Sequence, residues 1–119
     1  MNKNYDLVNR VEIFGTRIIS FSKLIPKNVI NLPLISQFIR SGTSVGANYC
    51  EADDAESRKD YIHKVGIAKK EARETAYWLK MIVVAEPKLK EEAMKIYQEA
   101  KELNLIMNAI VRKASIKTD

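Results

Sequence analysis

Apolar residues recur at three- and four-residue steps through four successive segments of this chain, and that spacing confines it to helices packed on helices. In residues 4–25 the stripe is Leu7, Val11, Phe14, Ile18, Phe21 and Ile25, one face of a 3.6-residue repeat. Ile13 and Ile19 lie off it, so the apolar surface of this segment is wide. Pro26 closes the segment, because proline has no N–H for the next helical hydrogen bond. Pro33 opens a second segment, residues 33–55, since its fixed φ suits a first turn. The stripe there is Ile35, Phe38, Ile39, Gly42, Val45, Gly46, Tyr49 and Ala52.

The two glycines each cost a helix about 1 kcal/mol relative to alanine. Close approach of a neighbouring helix offsets that cost, so Gly42 and Gly46 read as a packing device. Ser57-Arg-Lys-Asp60 has the form of a capping box, with Asp in place of the usual Glu or Gln. It opens a third segment, 57–85, striped by Tyr61, Val65, Ala68, Ala72, Thr75, Ala76, Leu79, Ile82 and Val83. Asp53, Asp54 and Glu56 sit near this positive helix end, where carboxylates are favoured. Pro87 opens the fourth, 87–114, with Leu89, Ala93, Ile96, Ala100, Leu103, Met107, Ile110 and Ala114 on one face; residues 115–119 are expected to fray. Between Leu103 and Val111 apolar residues spread around the helix, which predicts burial on most sides and hence subunit association.

Long helices with short connections predict an all-α fold, an antiparallel up-down four-helix bundle spanning residues 1–119 as one domain. Only four glycines and three prolines are present, too few for a turn-rich β protein. No apolar run approaches the roughly 20 residues of a membrane span. The N-terminal MNKNYDLVNRVEIFGTR has charges spread through it and no signal-peptide core, so a cytoplasmic location without membrane attachment is expected. The single cysteine, Cys50, forms no internal disulfide and reads as a small packing residue.

Charge is segregated. Residues 1–40 hold six basic and two acidic groups, 41–56 none and four, 57–85 seven and three, and 86–119 seven and six. Positive charge therefore gathers in the first and third segments, which suits a phosphate-bearing or acidic partner. In the third, Lys59, His63, Lys70, Arg73, Tyr77 and Lys80 share one helical face. Cations tracking a nucleic-acid backbone, with Tyr77 or Trp78 stacking on a base, are one reading of that face. A solvated surface with lysine stems lying over apolar atoms is the other, and Glu71 and Glu74 interrupt the field. Arg10 and Arg17 are weaker phosphate candidates on the first segment.

Arg40, Ser44, Asn48 and Glu51 form a polar seam beside the glycine stripe. It reads as a hydrogen-bond network fixing helix register or a subunit interface, as a ligand site, or as exposed polar surface. His63 is the only histidine; with Asp60 it makes one Asp-x-x-His pair, whereas carboxylate di-metal bundles need two such motifs and two more carboxylates. The run EADDAE, 51–56, lacks the spacing of a calcium loop. No nucleophile–base pair is spaced for catalysis. Neither a metal nor another cofactor is expected, and the expected function is binding rather than catalysis.

Three pieces, RSGTSVGAN with Glu51, SRKDYIHK and AKKEARETAYWL, carry a resemblance to the four-helix-bundle proteins encoded in intervening sequences of bacterial 23S ribosomal RNA genes. Their relatives include the accessory variability determinant of diversity-generating retroelements. The resemblance covers nearly the whole chain and is strongest from Arg40 to Met81. It implies a left-handed up-down bundle assembling as a homopentamer with a central channel, a number that periodicity does not give. For the retroelement relatives it also implies association with nucleic acid, RNA or DNA, and with a protein partner, a reverse transcriptase. Tyr49-Cys50 departs from the less polar or acidic residues common at that place in relatives.

Overall fold

The computed structural model describes residues 3–116. They form four α-helices, α1 (Lys3–Ser22), α2 (Asn31–Asp53), α3 (Arg58–Ala85) and α4 (Lys90–Ile116), with a 3-10 turn at Pro87–Leu89 before the last. There is no strand among the described residues.

The helix ends follow from local chemistry, and several differ from the boundaries that periodicity suggests. α1 stops at Ser22 rather than at residue 25, because Ile25 precedes proline and is driven away from helical geometry. Its last turn tightens instead, with Leu24 N–H donating to the Phe21 carbonyl at 2.9 Å and Ile25 N–H to Ser22 at 3.3 Å. Lys27 Nζ then donates to the carbonyls of Ser22 and Ile25. Ile25 still plugs the core, 1% exposed. α2 begins at Asn31, two residues ahead of Pro33, because the Asn28 side chain accepts the N–H groups of Ile30 and Asn31 at 3.1 and 2.8 Å. That is the satisfaction of orphan donors that a helix start requires. At α3 the expected cap is in place: Ser57 Oγ accepts from Asp60 N–H at 3.1 Å. α4 is preceded by a 3-10 turn rather than starting as α-helix at Pro87, and it runs on through Ile116; residues 117–119 lie outside the described residues.

Consecutive helices run in opposite directions. Gly42 faces Ile18 and Gly46 faces Val11, so α2 descends as α1 ascends. Ser41 meets Thr75 and Glu51 meets Lys64, and Lys69 meets Asn108 while Lys80 meets Tyr97. The core is the periodic stripe: Leu7, Val11, Phe14, Ile18 and Phe21 of α1 interlock with Phe38, Val45 and Tyr49 of α2, Val65, Leu79 and Ile82 of α3, and Ile96, Leu103 and Met107 of α4. Small residues, Ala68 and Ala72 of α3 and Ala93 and Ala100 of α4, are fully covered, which lets α3 and α4 lie close along their length.

Gly42 and Gly46 act as the sequence suggests. A Cβ at Gly42 would sit 2.6 Å from the Ile18 side chain, and one at Gly46 would sit 3.2 Å from the Val11 carbonyl oxygen. A buried hydroxyl pair adds a polar contact in the core: Ser41 Oγ of α2 and Thr75 Oγ1 of α3 are 3.0 Å apart, each also close to a carbonyl of its own helix. At one end of the bundle, Asn31 Nδ2 donates to the Pro26 carbonyl and to Glu86, both at 2.9 Å, tying the α1–α2 loop to the α3–α4 turn. Of the apolar spread on α4, Leu105 is left outside, 66% exposed. Among the described residues, no helix is long and apolar enough to cross a membrane.

Candidate functional site

The outer face of α3 carries all six residues of the basic stripe. Lys59, His63, Lys70, Arg73, Tyr77 and Lys80 are each exposed, as expected for positions opposite the buried line of Val65, Ala68, Ala72, Thr75 and Leu79. At 1.5 Å per residue, Lys59 to Lys80 spans roughly 32 Å. Lys59, Lys70 and Arg73 form no ion pair among the described residues. Tyr77, half exposed, meets the Trp78 ring edge-on at 5.0 Å between centroids.

The two acids that interrupt this stripe in sequence do not interrupt it in space. Glu71 and Glu74 lie on the α2-facing side of α3, where the Arg40 guanidinium pairs with both, at 3.4 Å to Glu71 and in close contact with Glu74. Trp78 Nε1 also donates to Glu74, at 3.1 Å. The third acid, Asp60, sits in the first turn on the side of Lys64, so from His63 to Lys80 the outward line contains no carboxylate.

The polar seam of α2 divides. Its ends bridge to α3, Arg40 through Glu71 and Glu74, and Glu51 through Lys64 Nζ at 2.9 Å. Hydrogen bonding to Glu51 holds the Lys64 ammonium above its ordinary pKa. The middle turns back on its own helix: Ser44 Oγ donates to the Arg40 carbonyl at 2.6 Å, and Asn48 Nδ2 to the Ser44 carbonyl at 2.9 Å. So the seam does not form one connected network. The buried polar contact between these helices is Ser41 with Thr75, one turn-face away.

Arg10, a phosphate candidate by sequence, is engaged within the bundle. It pairs with Glu99 at 2.6 Å and Glu102 at 3.2 Å, and the hydrogen bond to Glu99 is the main reason its pKa is raised. Arg17 is half-buried and makes no ion pair among the described residues. Lys69 and Asn104 clamp α3 to α4: Lys69 Nζ reaches Asn108 Oδ1 at 3.3 Å, and Asn104 Nδ2 donates to the Lys69 carbonyl at 2.9 Å.

A second set of cations, missed by reading α3 alone, lies on the adjoining face of α4. Lys90, Met94, Tyr97, Lys101, Leu105, Asn108 and Arg112 follow one another at steps of four and three, which places them on one side of that helix. Tyr97 is the junction: Lys80 Nζ of α3 and Lys101 Nζ of α4 each lie 5.5 Å from its ring centroid, within cation–π range. Two of the α4 acids, Glu99 and Glu102, are held by Arg10 on the α1 side. The signal was present in the sequence as a basic–aromatic spacing, but the near-balanced charge of residues 86–119 masked it.

The remaining chemistry-bearing groups give a different picture. A shallow acidic depression at the α2–α3 turn is lined by Glu51, Asp54, Glu56, Asp60 and Lys64. No group of three or more His, Cys, Asp or Glu side chains among the described residues is placed to hold a metal. Cys50 is exposed rather than packed into the core; the desolvation it does undergo, and then the charges of Glu12 and Asp53, hold its thiol above its ordinary pKa, the reverse of nucleophile activation.

The model of the 23S rRNA-intervening sequence protein family matches residues 3–109. No curated protein sequence is significantly similar to this chain. A crystal structure of a protein of unknown function from the S23 ribosomal protein family of Bacteroides thetaiotaomicron is similar at 34% identity and a TM-score of 0.85. That similarity covers 93% of this chain and 99% of the other.

Proposed function

This chain belongs to the 23S rRNA-intervening sequence protein family, and on that premise we propose that it is a non-enzymatic accessory protein that binds nucleic acid, RNA or DNA, through the outer face of α3. The observation that carries the reading is the line from Lys59 to Lys80, free of carboxylates beyond its first turn, with Glu71 and Glu74 turned aside onto Arg40. Lys59, Lys70, Arg73 and Lys80 supply phosphate contacts and His63 a further polar one. Tyr77, exposed beside Trp78, offers a ring to a base. Phosphate contacts of this kind give affinity without sequence preference.

The protein acts as a homo-oligomer in this reading, a pentamer by resemblance to the characterised relatives. Ile13 and Ile19 of α1 and Leu105 of α4, each between 46% and 66% exposed, are the apolar surface available for that association. A second reading, a scaffold that recruits a nucleic-acid-processing protein, is favoured by one feature. Leu24, Val29, Ile30 and Leu32 are all more than half exposed at the α1–α2 end of the bundle, the kind of clustered apolar surface that marks a protein contact.

Charge reversal separates the two. Lys70→Glu with Arg73→Glu should abolish binding of a labelled single-stranded RNA in a fluorescence-anisotropy titration while circular dichroism stays unchanged. Undiminished affinity in that variant would exclude the α3 face as the site.

A further inference from the structure

Between α3 and α4, beside the end of the basic line, lies a groove of about 300 Å³, at the small end of ligand pockets. Leu79, Val83 and Ala93 floor it, Met94 and Tyr97 wall it, and Lys80 and Lys90 stand at its rim. No carboxylate of the described residues lines it. We propose that this groove receives an unpaired base of single-stranded nucleic acid, so that the protein binds single strands in preference to duplex. The inference rests on the nucleic-acid reading of α3 and gives that surface a specificity.

Three observations converge on it. The phosphate-binding line leads into the groove, because Arg73 and Lys80 are the stripe members that lean toward α4. The groove is apolar inside and cationic outside, which is the polarity of a nucleotide: a flat, weakly hydrated base between anionic phosphates. Its one aromatic wall, Tyr97, has lysine ammonium groups of both helices 5.5 Å from its ring centre. Such contacts are weak at exposed sites, so an arriving base can displace Lys80 from the ring and leave it facing the adjacent phosphate. Duplex nucleic acid keeps its bases stacked inside and offers the groove nothing without paying to unstack one.

The test is a pair of anisotropy titrations, one with a labelled single-stranded RNA and one with the duplex formed by that strand and its complement. The wild-type protein is expected to favour the single strand. Tyr97→Ala should lower single-strand affinity about tenfold, the scale of one lost stacking contact, and leave duplex affinity unchanged; Tyr97→Phe should keep both. Met94→Gln, at a position 41% exposed where folding is not at stake, should also weaken the single strand selectively. Equal wild-type affinity for the two forms, or variants that lose both together or neither, would overturn the groove assignment and leave the α3 reading standing. Absence of all nucleic-acid binding would defeat both. NMR shifts at Tyr97 on adding an acidic amphipathic peptide, with none on adding the RNA, would give the groove to a protein partner and overturn the proposal.

Discussion

Gly42 and Gly15 show how differently the same residue type behaves at two places in one chain. A Cβ at Gly42 would press into the buried Ile18 side chain, whereas one at Gly15 meets nothing within 4 Å. Gly42→Ala should therefore destabilise the fold, by about 1–3 kcal/mol as overpacking does, despite the better helix propensity of alanine. Gly15→Ala should stabilise it by about 0.5–1 kcal/mol. Urea denaturation of the two variants beside the parent checks both signs at once.

Tyr49 carries the other residue-scale consequence. Its side chain is 0% exposed, and its hydroxyl, set near that of Tyr61, makes no close hydrogen bond among the described residues. Burial first, and then the neighbouring Tyr61 and Asp53, push its pKa upward from 10.0. The folded protein thus keeps this phenol protonated where the unfolded chain has begun to ionise it. The stability it contributes is intact below about pH 10 and falls above it, by up to about 1.4 kcal/mol per pH unit. Tyr49→Phe should be more stable than the parent by about 1 kcal/mol at neutral pH, since an unsatisfied buried hydroxyl is removed. It should also lose less stability between pH 9 and 11; a parallel loss in both proteins would contradict this account.

At the scale of the helices, periodicity located the core faces well, because a buried stripe is a direct consequence of 3.6 residues per turn. Boundaries were less legible. Pro26 marks a stop, but its effect falls four residues upstream at Ser22. Pro33 marks a first turn, but the cap that starts α2 is the side chain of Asn28, set five residues before it. The basic line of α3 was legible for the same reason as the core. Its electrostatic continuity was not, because only the tertiary position of Arg40 shows where Glu71 and Glu74 are neutralised. The α2 seam was legible as a line of polar residues; that its ends bridge to α3 while Ser44 and Asn48 are satisfied by their own backbone was not. Neither Lys70 nor Arg73 holds an ion pair among the described residues, so reversing them removes surface charge without breaking a helix–helix contact. That is why helical content should survive the change.

Over the whole molecule, charge and apolar surface are sorted by place. The bundle measures 50 × 27 × 20 Å, with acids gathered at the α2–α3 turn, exposed apolar residues at the opposite α1–α2 loop, and cations along α3 and the adjoining side of α4. Such a layout lets one face meet phosphate while an end stays free for another protein. Fold similarity to a family of unknown function leaves the activity to be argued from this surface.

The most direct measurement is the salt dependence of binding to a labelled single-stranded RNA, with light scattering on the same samples to report the oligomer. Four to six phosphate contacts from α3 and α4 predict a log–log slope of affinity against salt of about −3 to −4. A slope near zero, or no binding by an intact assembly, would contradict the central claim that the α3 face is a nucleic-acid surface.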